Sequence, residues 1–184
     1  MLKQMISVKT VVAIGIGSAL MFVLMRFAQV PTGIPNTTAN LGIPVLAAFA
    51  AVFGPIAGFL IGFIGHTLVD LTAGWGIWWS WILGSAFLGG AIGAFWKFYK
   101  VEEGGFGLKE CLIFNGVQIV ANALAYVIIA RTLDLLIYSE PFGKITMQGF
   151  VAAGANAVTV LILGSLLLFG YSKTRTKTGS LKAE

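Results

Sequence analysis

Residues 41–69, with the sequence LGIPVLAAFAAVFGPIAGFLIGFIGHTLV, contain no lysine, arginine, aspartate or glutamate and decide how the chain is organised. As a single helix they would be about 43 Å long, more than a bilayer core of roughly 30 Å requires. The triplet Phe53-Gly54-Pro55 interrupts them, because proline lacks a backbone donor and glycine permits a sharp turn. We therefore predict two helices, over residues 41–53 and 55–71.

Apolar stretches of the same kind fill most of the remaining chain. Of the 184 residues, 58% are hydrophobic and 10% are charged, and the mean hydropathy is +0.92. This balance excludes a soluble domain of ordinary composition. Four further stretches are long enough to cross a bilayer, over residues 11–30, 77–97, 110–130 and 145–171. The sequence thus predicts an all-α integral membrane protein with six transmembrane helices in one domain, residues 1–184, in the bacterial cell membrane.

The distribution of cations predicts that both termini are cytoplasmic. With six spans and both termini inside, three of the 12 lysines and arginines lie outside: Arg26, Arg131 and Lys144. Five spans cannot place both basic termini inside, so the positive-inside tendency favours six. Orientation and the anionic headgroups of the lipid bilayer then explain the net charge of +5 without a nucleic-acid partner. The cytoplasmic cations are Lys3, Lys9, Lys97, Lys100, Lys109, Lys173, Arg175, Lys177 and Lys182.

Two ionisable residues in the third apolar stretch are candidates to line a ligand site. His66 and Asp70 lie in its outer half and are spaced i, i+4, so they share one helical face. An ionisable group inside a membrane span needs a partner, a ligand or water. The structural alternative is that the two side chains hydrogen-bond each other and fix the end of the helix.

Four tryptophans, at positions 75, 78, 79 and 81, lie at the outer start of the fourth span. An interfacial aromatic belt accounts for some of them. Four positions point in several directions around a helix, so at least one indole should face inward, where it can stack on a planar heterocycle. Trp78 or Trp79 is the expected candidate.

The fifth span carries a stripe of polar residues, Asn115, Gln118, Asn122 and Tyr126, at helical spacing. Amides of this kind also hold helices together in lipid, which is the structural alternative. Asn122 and Tyr126 lie at the depth of His66, and Asn156 of the sixth span comes to a similar level. We therefore predict an outward-opening pocket, almost uncharged apart from His66 and Asp70, for a neutral planar ligand.

The outer loop over residues 31–40, PTGIPNTTAN, contains two prolines, a glycine and two asparagines. Such a loop can be semi-rigid and still offer amide and backbone groups, so it is a candidate lid, with Asn36 as a candidate ligand contact. The alternative is a plain connector.

The sequence lacks the motifs of nucleotide hydrolysis and metal chemistry. It has no G-x-x-x-x-G-K-[ST], H-E-x-x-H, C-x-x-C or G-x-S-x-G element. We therefore predict no catalytic residue, no cofactor and no metal site, and any uphill transport must draw energy from other subunits. Two other classes remain open: a small membrane enzyme with His66 and Asp70 as a proton-transfer pair, and an assembly subunit without a ligand.

The chain resembles the substrate-binding S components of the energy-coupling factor (ECF) transporters, the bacterial vitamin importers. The resemblance covers nearly the whole chain and rests on the six-span pattern and three motifs. These are AIGIGSA at residues 13–19, AVFGPIAGF at residues 51–59, and GFIGHTLVDL at residues 62–71 followed by WWSW at residues 78–81. The last resembles a subgroup labelled as riboflavin or hydroxymethylpyrimidine S components.

The resemblance implies an extracellular-side ligand pocket, a transmembrane T component as partner, and two ATP-binding subunits. It also implies that the S component tilts in the membrane to carry its ligand inward. In the family, a first-helix A-x-x-x-A motif contacts the T component. Here the corresponding docking candidates are the pairs Ala13/Gly17 and Gly15/Ala19. The expected ligand is hydroxymethylpyrimidine ahead of riboflavin or another B vitamin, because few positive groups are placed to hold a larger polar chain.

Overall fold

The computed structural model describes residues 7–175, and this part of the chain is almost entirely helical. A short antiparallel hairpin, β1 (Gln29–Pro31) and β2 (Thr38–Asn40), separates the first two helices. Lys3, Lys177 and Lys182, which the orientation prediction uses, lie outside the described residues. Within residues 7–175 the helices are α1 (Val8–Phe27), α2 (Gly42–Phe53), α3 (Pro55–Ala73), α4 (Trp79–Ala94), α5 (Leu108–Tyr138) and α6 (Phe142–Lys173).

Four of these helices, α1, α3, α5 and α6, are long and apolar enough to cross a membrane. The other two, α2 and α4, are apolar but shorter, with 12 and 16 residues. Large apolar side chains such as Val11, Leu136 and Leu166 are exposed on the outside of the bundle. A surface of this kind is suited to lipid, in agreement with the predicted all-α membrane protein.

The break between α2 and α3 falls where the sequence predicts it. Helix α2 ends at Phe53, Gly54 adopts a φ of 85°, and Pro55 occupies the first position of α3. A positive φ is cheap only for glycine, and proline at the first helical position loses no hydrogen bond. Gly54 alone therefore separates the two helices, its N–H bonded to the Ala50 carbonyl and its carbonyl accepting from the Gly58 N–H.

Helices α3 and α4 pack with their backbones in close contact. A Cβ atom built on Gly58 would collide with the carbonyl oxygen of Gly89, and one on Gly62 would collide with that of Ser85. Small residues permit such an approach, which in lipid is stabilised by van der Waals packing because apolar burial gives little driving force there. The contact fixes α3 against α4 at the level of the candidate ligand residues.

Helices α5 and α6 are longer than the predicted spans and contain wide turns. Helix α5 continues past residue 130 to Tyr138, and α6 begins at Phe142, ahead of residue 145. Both include a π-helical segment, Ala123–Ala130 in α5 and Val160–Gly164 in α6. Such segments change the direction in which the following side chains point and are frequent at functional sites.

A cluster of polar side chains around Glu102 ties the far end of the bundle together. The Glu102 carboxylate accepts hydrogen bonds from Lys9 Nζ at 3.1 Å, Tyr171 Oη at 2.7 Å and Arg175 Nη2 at 2.7 Å. Burial alone would raise the pKa of Glu102, but the Tyr171 hydrogen bond and the two cations outweigh it and hold that pKa below its ordinary value. The start of α1 is thereby fixed to the α4–α5 loop and the end of α6.

The packing of α3 on α4 predicts a large effect of one methyl group. We expect Gly89→Ala to lower the free energy of unfolding by about 1–3 kcal/mol, because the added Cβ overpacks the contact with Gly58. Thermal unfolding of the purified protein in detergent measures this.

The matched control is Gly116→Ala on α5, where a Cβ would meet no atom within 4 Å. It should leave stability unchanged or raise it by up to about 1 kcal/mol, since alanine is the better helix former. Equal melting temperatures for the two variants would contradict the close packing.

Candidate functional site

A cavity of about 460 Å³ opens at the hairpin end of the bundle. Its size falls within the roughly 300–1,000 Å³ typical of small-molecule sites. The hairpin covers it, and the ends of α1, α3, α4, α5 and α6 form its walls. Among the predicted site residues, those that line it are Asn36, His66, Asp70, Trp78, Tyr126 and Asn156.

His66 and Asp70 share one face of α3, as their spacing predicts, and both are buried. They are not closely paired, because His66 Nε2 lies 3.8 Å from Asp70 Oδ1. His66 Nδ1 instead shares a 2.7 Å hydrogen bond with Ser85 Oγ, which lies 3.1 Å from Tyr126 Oη. The Asp70 carboxyl group accepts bonds from Trp75 Nε1 at 3.2 Å and the Trp78 backbone N–H at 2.9 Å. Asp70 therefore fixes the approach of the chain to α4.

Of the two candidate tryptophans, only Trp78 faces the cavity. Its ring lies 4.3 Å from that of Tyr138. Trp79 is 43% exposed on the outer surface and stacks on Phe63, with ring centroids 6.2 Å apart, and it does not line this cavity. Helix α4 begins at Trp79, so the non-helical backbone at Trp78 sets the direction of that indole. Trp81 also lines the cavity, and it lies about 200° around α4 from Trp79, which is why only one of these two faces inward.

The polar stripe of α5 divides into two parts. Tyr126 lines the cavity, but Asn122, which was expected beside it, does not. Asn122 Nδ2 donates to the backbone oxygen and Oε1 of Gln118, at 2.9 and 3.0 Å. Gln118 Nε2 donates to the Ala157 carbonyl at 3.1 Å, and Asn115 Nδ2 to Ser165 Oγ at 2.9 Å. Below the cavity the stripe therefore joins α5 to α6.

The expectation that Asp70 is the only acid near the pocket is wrong. Asp134 and Glu140 also line the cavity, with Lys144, which forms a 2.7 Å ion pair with Glu140. Asp134 is 1% exposed and accepts hydrogen bonds from Ser80 Oγ and, at 2.8 Å, from Trp81 Nε1. The site is thus more acidic than the sequence predicts.

Sequence reasoning missed Asp134 because it ended the fifth span at residue 130. In a regular α-helix Asp134 would also lie about 80° around the axis from Tyr126. The π-helical turns of Ala123–Ala130 have more residues per turn, so Tyr126, Ala130 and Asp134 are all buried on the inner side. No sequence pattern predicts a π-helical segment of this kind.

Asn156 has a buried side-chain oxygen without a hydrogen-bond partner in residues 7–175. The residue is 2% exposed and lines the cavity, and its Oδ1 atom has no hydrogen-bond partner among residues 7–175. A buried polar atom without a partner costs about 1–3 kcal/mol.

The loop predicted as a lid forms the hairpin over the cavity. Asn36 lies in its turn with a φ of 57°, a conformation that asparagine tolerates better than most residues. Thr37, Thr38 and Asn40 of the hairpin line the cavity as well. Gln148 Nε2 of α6 donates to the Pro35 carbonyl at 2.9 Å and ties the hairpin down.

The four candidate docking residues of α1 point to opposite sides. Ala13 and Gly17 are buried in the bundle, and a Cβ on Gly17 would crowd Ile61 and Phe49. Gly15 and Ala19 are exposed, and a Cβ on Gly15 would meet no atom within 4 Å. Ala13 and Gly17 are therefore already in contact with other helices of the protein.

The succession Asp70, His66, Ser85 resembles an acid, base and nucleophile set, but its geometry does not suit catalysis. Ser85 is fully buried and its Oγ atom lies between His66 and Tyr126, away from the cavity lining. A nucleophile must reach its substrate. Across residues 7–175, no group of three or more histidines, cysteines or acids is placed to hold a metal ion.

The fold and site together define a helical membrane protein with a cavity of small-molecule size beneath the hairpin. Comparison with known proteins identifies the family, since residues 5–173 match the family model described as "ECF-type riboflavin transporter, S component". The chain belongs to this family, which confirms the resemblance seen in the sequence. It is a multi-pass membrane protein of a transporter family, which is not an enzyme class.

Relatives named UPF0397 protein match along nearly their whole length. One from Lacticaseibacillus casei is 47% identical over 182 residues, covering 99% of this chain and 98% of the relative. Those from Clostridium perfringens strain SM101 and Lactobacillus helveticus are each 48% identical over 184 residues, covering 100% of both chains. No solved structure matches the chain.

Proposed function

We propose that this chain is the membrane-embedded substrate-binding subunit of an ATP-driven ECF importer and holds a small planar vitamin or precursor in the cavity beneath the hairpin. The observation that carries the proposal is the combination of indoles and a carboxylate with free lone pairs. Trp78 and Trp81 line the same cavity as Asp134, whose two hydrogen-bond donors, Ser80 and Trp81, leave lone pairs unfilled. Aromatic faces suit a flat ring, and an unused acceptor suits a polar group on its edge.

Within this class we propose hydroxymethylpyrimidine ahead of riboflavin. Its exocyclic amino group donates hydrogen bonds, which matches the acceptors Asp134 and Asn156 on the cavity wall. Lys144, which lines the cavity, is paired with Glu140, so it is not free to hold a larger polar chain. Riboflavin is the second candidate, because the description of the family names it.

The transmembrane arrangement belongs to the same proposal. We infer that the single membrane domain crosses the bilayer six times, with α2 and α4 as short spans and both termini in the cytoplasm. The cations of the Glu102 cluster, Lys9 and Arg175, then lie on the cytoplasmic side. In this orientation the hairpin and the cavity face the outside, where a substrate arrives.

We propose that a T component docks on α1 at Gly15 and Ala19 and that two ATP-binding subunits supply the energy. The exposure of these two small residues supports this site over Ala13 and Gly17, which are buried. A small exposed residue lets a partner helix approach closely in lipid. The sequence contains no phosphate-binding loop, so ATP hydrolysis must occur on other chains.

A thermal-shift panel on the purified protein tests ligand binding. Hydroxymethylpyrimidine, thiamine and riboflavin are added singly, and a ligand at about 100 times its Kd should stabilise the fold by about 2.7 kcal/mol. We expect Trp78→Leu to weaken binding about 2- to 10-fold, because an aromatic contact contributes about 0.5–1.5 kcal/mol. Trp79→Leu, one residue away on the outer surface, is the matched control. A panel without a stabilising compound, or equal losses in both variants, would contradict the proposal.

Co-purification with the T component and ATP-binding subunits tests the docking surface. Gly15→Leu should abolish recovery of the T component while the ligand-induced rise in melting temperature persists, because the added side chain projects away from the bundle. Gly154→Leu is the control, since Gly154 is an exposed glycine of α6 with no atom within 4 Å of its Cβ position. Normal recovery with Gly15→Leu would place the docking surface elsewhere.

A further inference from the structure

Asp134 is an unusual residue for its position. It is a carboxyl group 1% exposed on a helix long and apolar enough to span a membrane. Within the described range it forms no salt bridge, and its hydrogen-bond donors are the neutral groups of Ser80 and Trp81. Buried acids without a cation are costly, and in a membrane segment they mark function more often than structure.

The hydrogen bonds of Asp134 leave it able to accept more. A carboxylate has about four lone-pair positions, and Ser80 Oγ and Trp81 Nε1 fill one on each oxygen. Asp134 also lines the cavity, so its remaining positions are available to a bound molecule. Ser80 and Trp81 fix the orientation of the carboxyl group, and its remaining lone pairs can accept hydrogen bonds from a ligand.

Several donors of the cavity wall are already bonded within the protein. Trp75 Nε1 donates to Asp70, Gln148 Nε2 to the Pro35 carbonyl, and Lys144 Nζ to Glu140. The Asp134 carboxylate, by contrast, keeps lone pairs free on both oxygens. A ligand that donates a hydrogen bond can use these lone pairs, and a ligand that only accepts cannot.

The charges of the cavity point to the same class of ligand. Asp70, Asp134 and Glu140 line it, and Lys144, the lysine on its wall, is ion-paired to Glu140 at 2.7 Å. A phosphate group here would meet acids and would have to break an existing ion pair to gain a cation. The site is therefore unsuited to phosphorylated compounds.

We propose that Asp134 determines specificity by accepting a hydrogen bond from an amino or ring N–H group of the ligand, so that the cavity takes unphosphorylated nitrogen heterocycles and rejects their phosphate esters. This inference rests on the proposed function, because it assigns a chemical class to the same site. It differs from a purely structural role, in which Asp134 only orients Ser80 and Trp81 and affects all ligands equally.

Binding of three related probes to the purified wild-type protein tests the proposal. The probes are hydroxymethylpyrimidine, its isostere with a methyl group in place of the amino group, and its phosphate ester. Losing a hydrogen bond to a charged group costs about 1.5–3 kcal/mol, so the isostere should bind at least about tenfold more weakly. The phosphate ester should also bind at least about tenfold more weakly. Equal affinities for the three probes would overturn the proposal.

Asp134→Asn then separates recognition from structure. The side chain keeps its size, and the preference for the amino compound over its isostere should fall several-fold if Asp134 contacts the ligand. A structural role predicts that both compounds lose affinity equally and the ratio stays constant. Glu103→Gln, an exposed acid at the opposite end of the bundle, controls for net charge and should leave the ratio unchanged. An unchanged ratio in Asp134→Asn would contradict the assignment.

If riboflavin stabilises the protein and hydroxymethylpyrimidine does not, the same comparison uses riboflavin, its N3-methyl derivative and its 5′-phosphate. The methyl group removes the ring N–H donor, so weaker binding of both derivatives supports the proposal and equal binding overturns it. Stabilisation by none of the vitamins would defeat the proposed function itself and this inference with it. Binding without discrimination defeats the inference alone.

Discussion

The close approach of α3 and α4 is the contact on which the candidate site depends. With Gly58 against Gly89 and Gly62 against Ser85, the two backbones come near enough for His66 to bond Ser85 and for Asp70 to bond the Trp78 N–H. These bonds hold the start of α4 in place and, with it, the inward indoles. Because lipid provides little hydrophobic drive for association, the fit of small residues has to provide the stability.

The polar residues of α5 and α6 serve two purposes that differ in how completely they are satisfied. Gln118 and Asn115 find partners on α6 and hold the helices together below the cavity. At the cavity, and within residues 7–175, Asn156 Oδ1 has no hydrogen-bond partner and Asp134 forms no salt bridge. Of the buried side-chain atoms without a hydrogen-bond partner in residues 7–175, Asn156 Oδ1 belongs to a cavity-lining residue, whereas Asn122 Oδ1 does not. The Asp134 carboxylate, which keeps lone pairs free at the cavity, therefore marks the site more clearly than unmet hydrogen bonds in general.

The sequence predicts the helices better than it predicts the directions of side chains. Apolar length and the Gly54-Pro55 break reproduce α2 and α3 to within two residues, because both depend on local backbone chemistry. The site depends on rotation about helix axes, and there the errors arise. Trp79 lies on the outer face of α4, where it stacks on Phe63, and Asp134 points inward because of a π-helical segment that has no sequence signature. The three-residue strands of the hairpin are likewise too short to produce a pattern.

The central claim is that a flat ring lies beneath the hairpin with its polar edge toward α5 and α6. A structure of the purified protein determined with the compound that stabilises it most tests this directly. The account predicts density for the ring against Trp78 and Trp81, with ring donors within hydrogen-bonding distance of Asp134 and Asn156 Oδ1. Density for the compound outside this cavity, or a cavity filled by repacked side chains while the compound is bound, would contradict it.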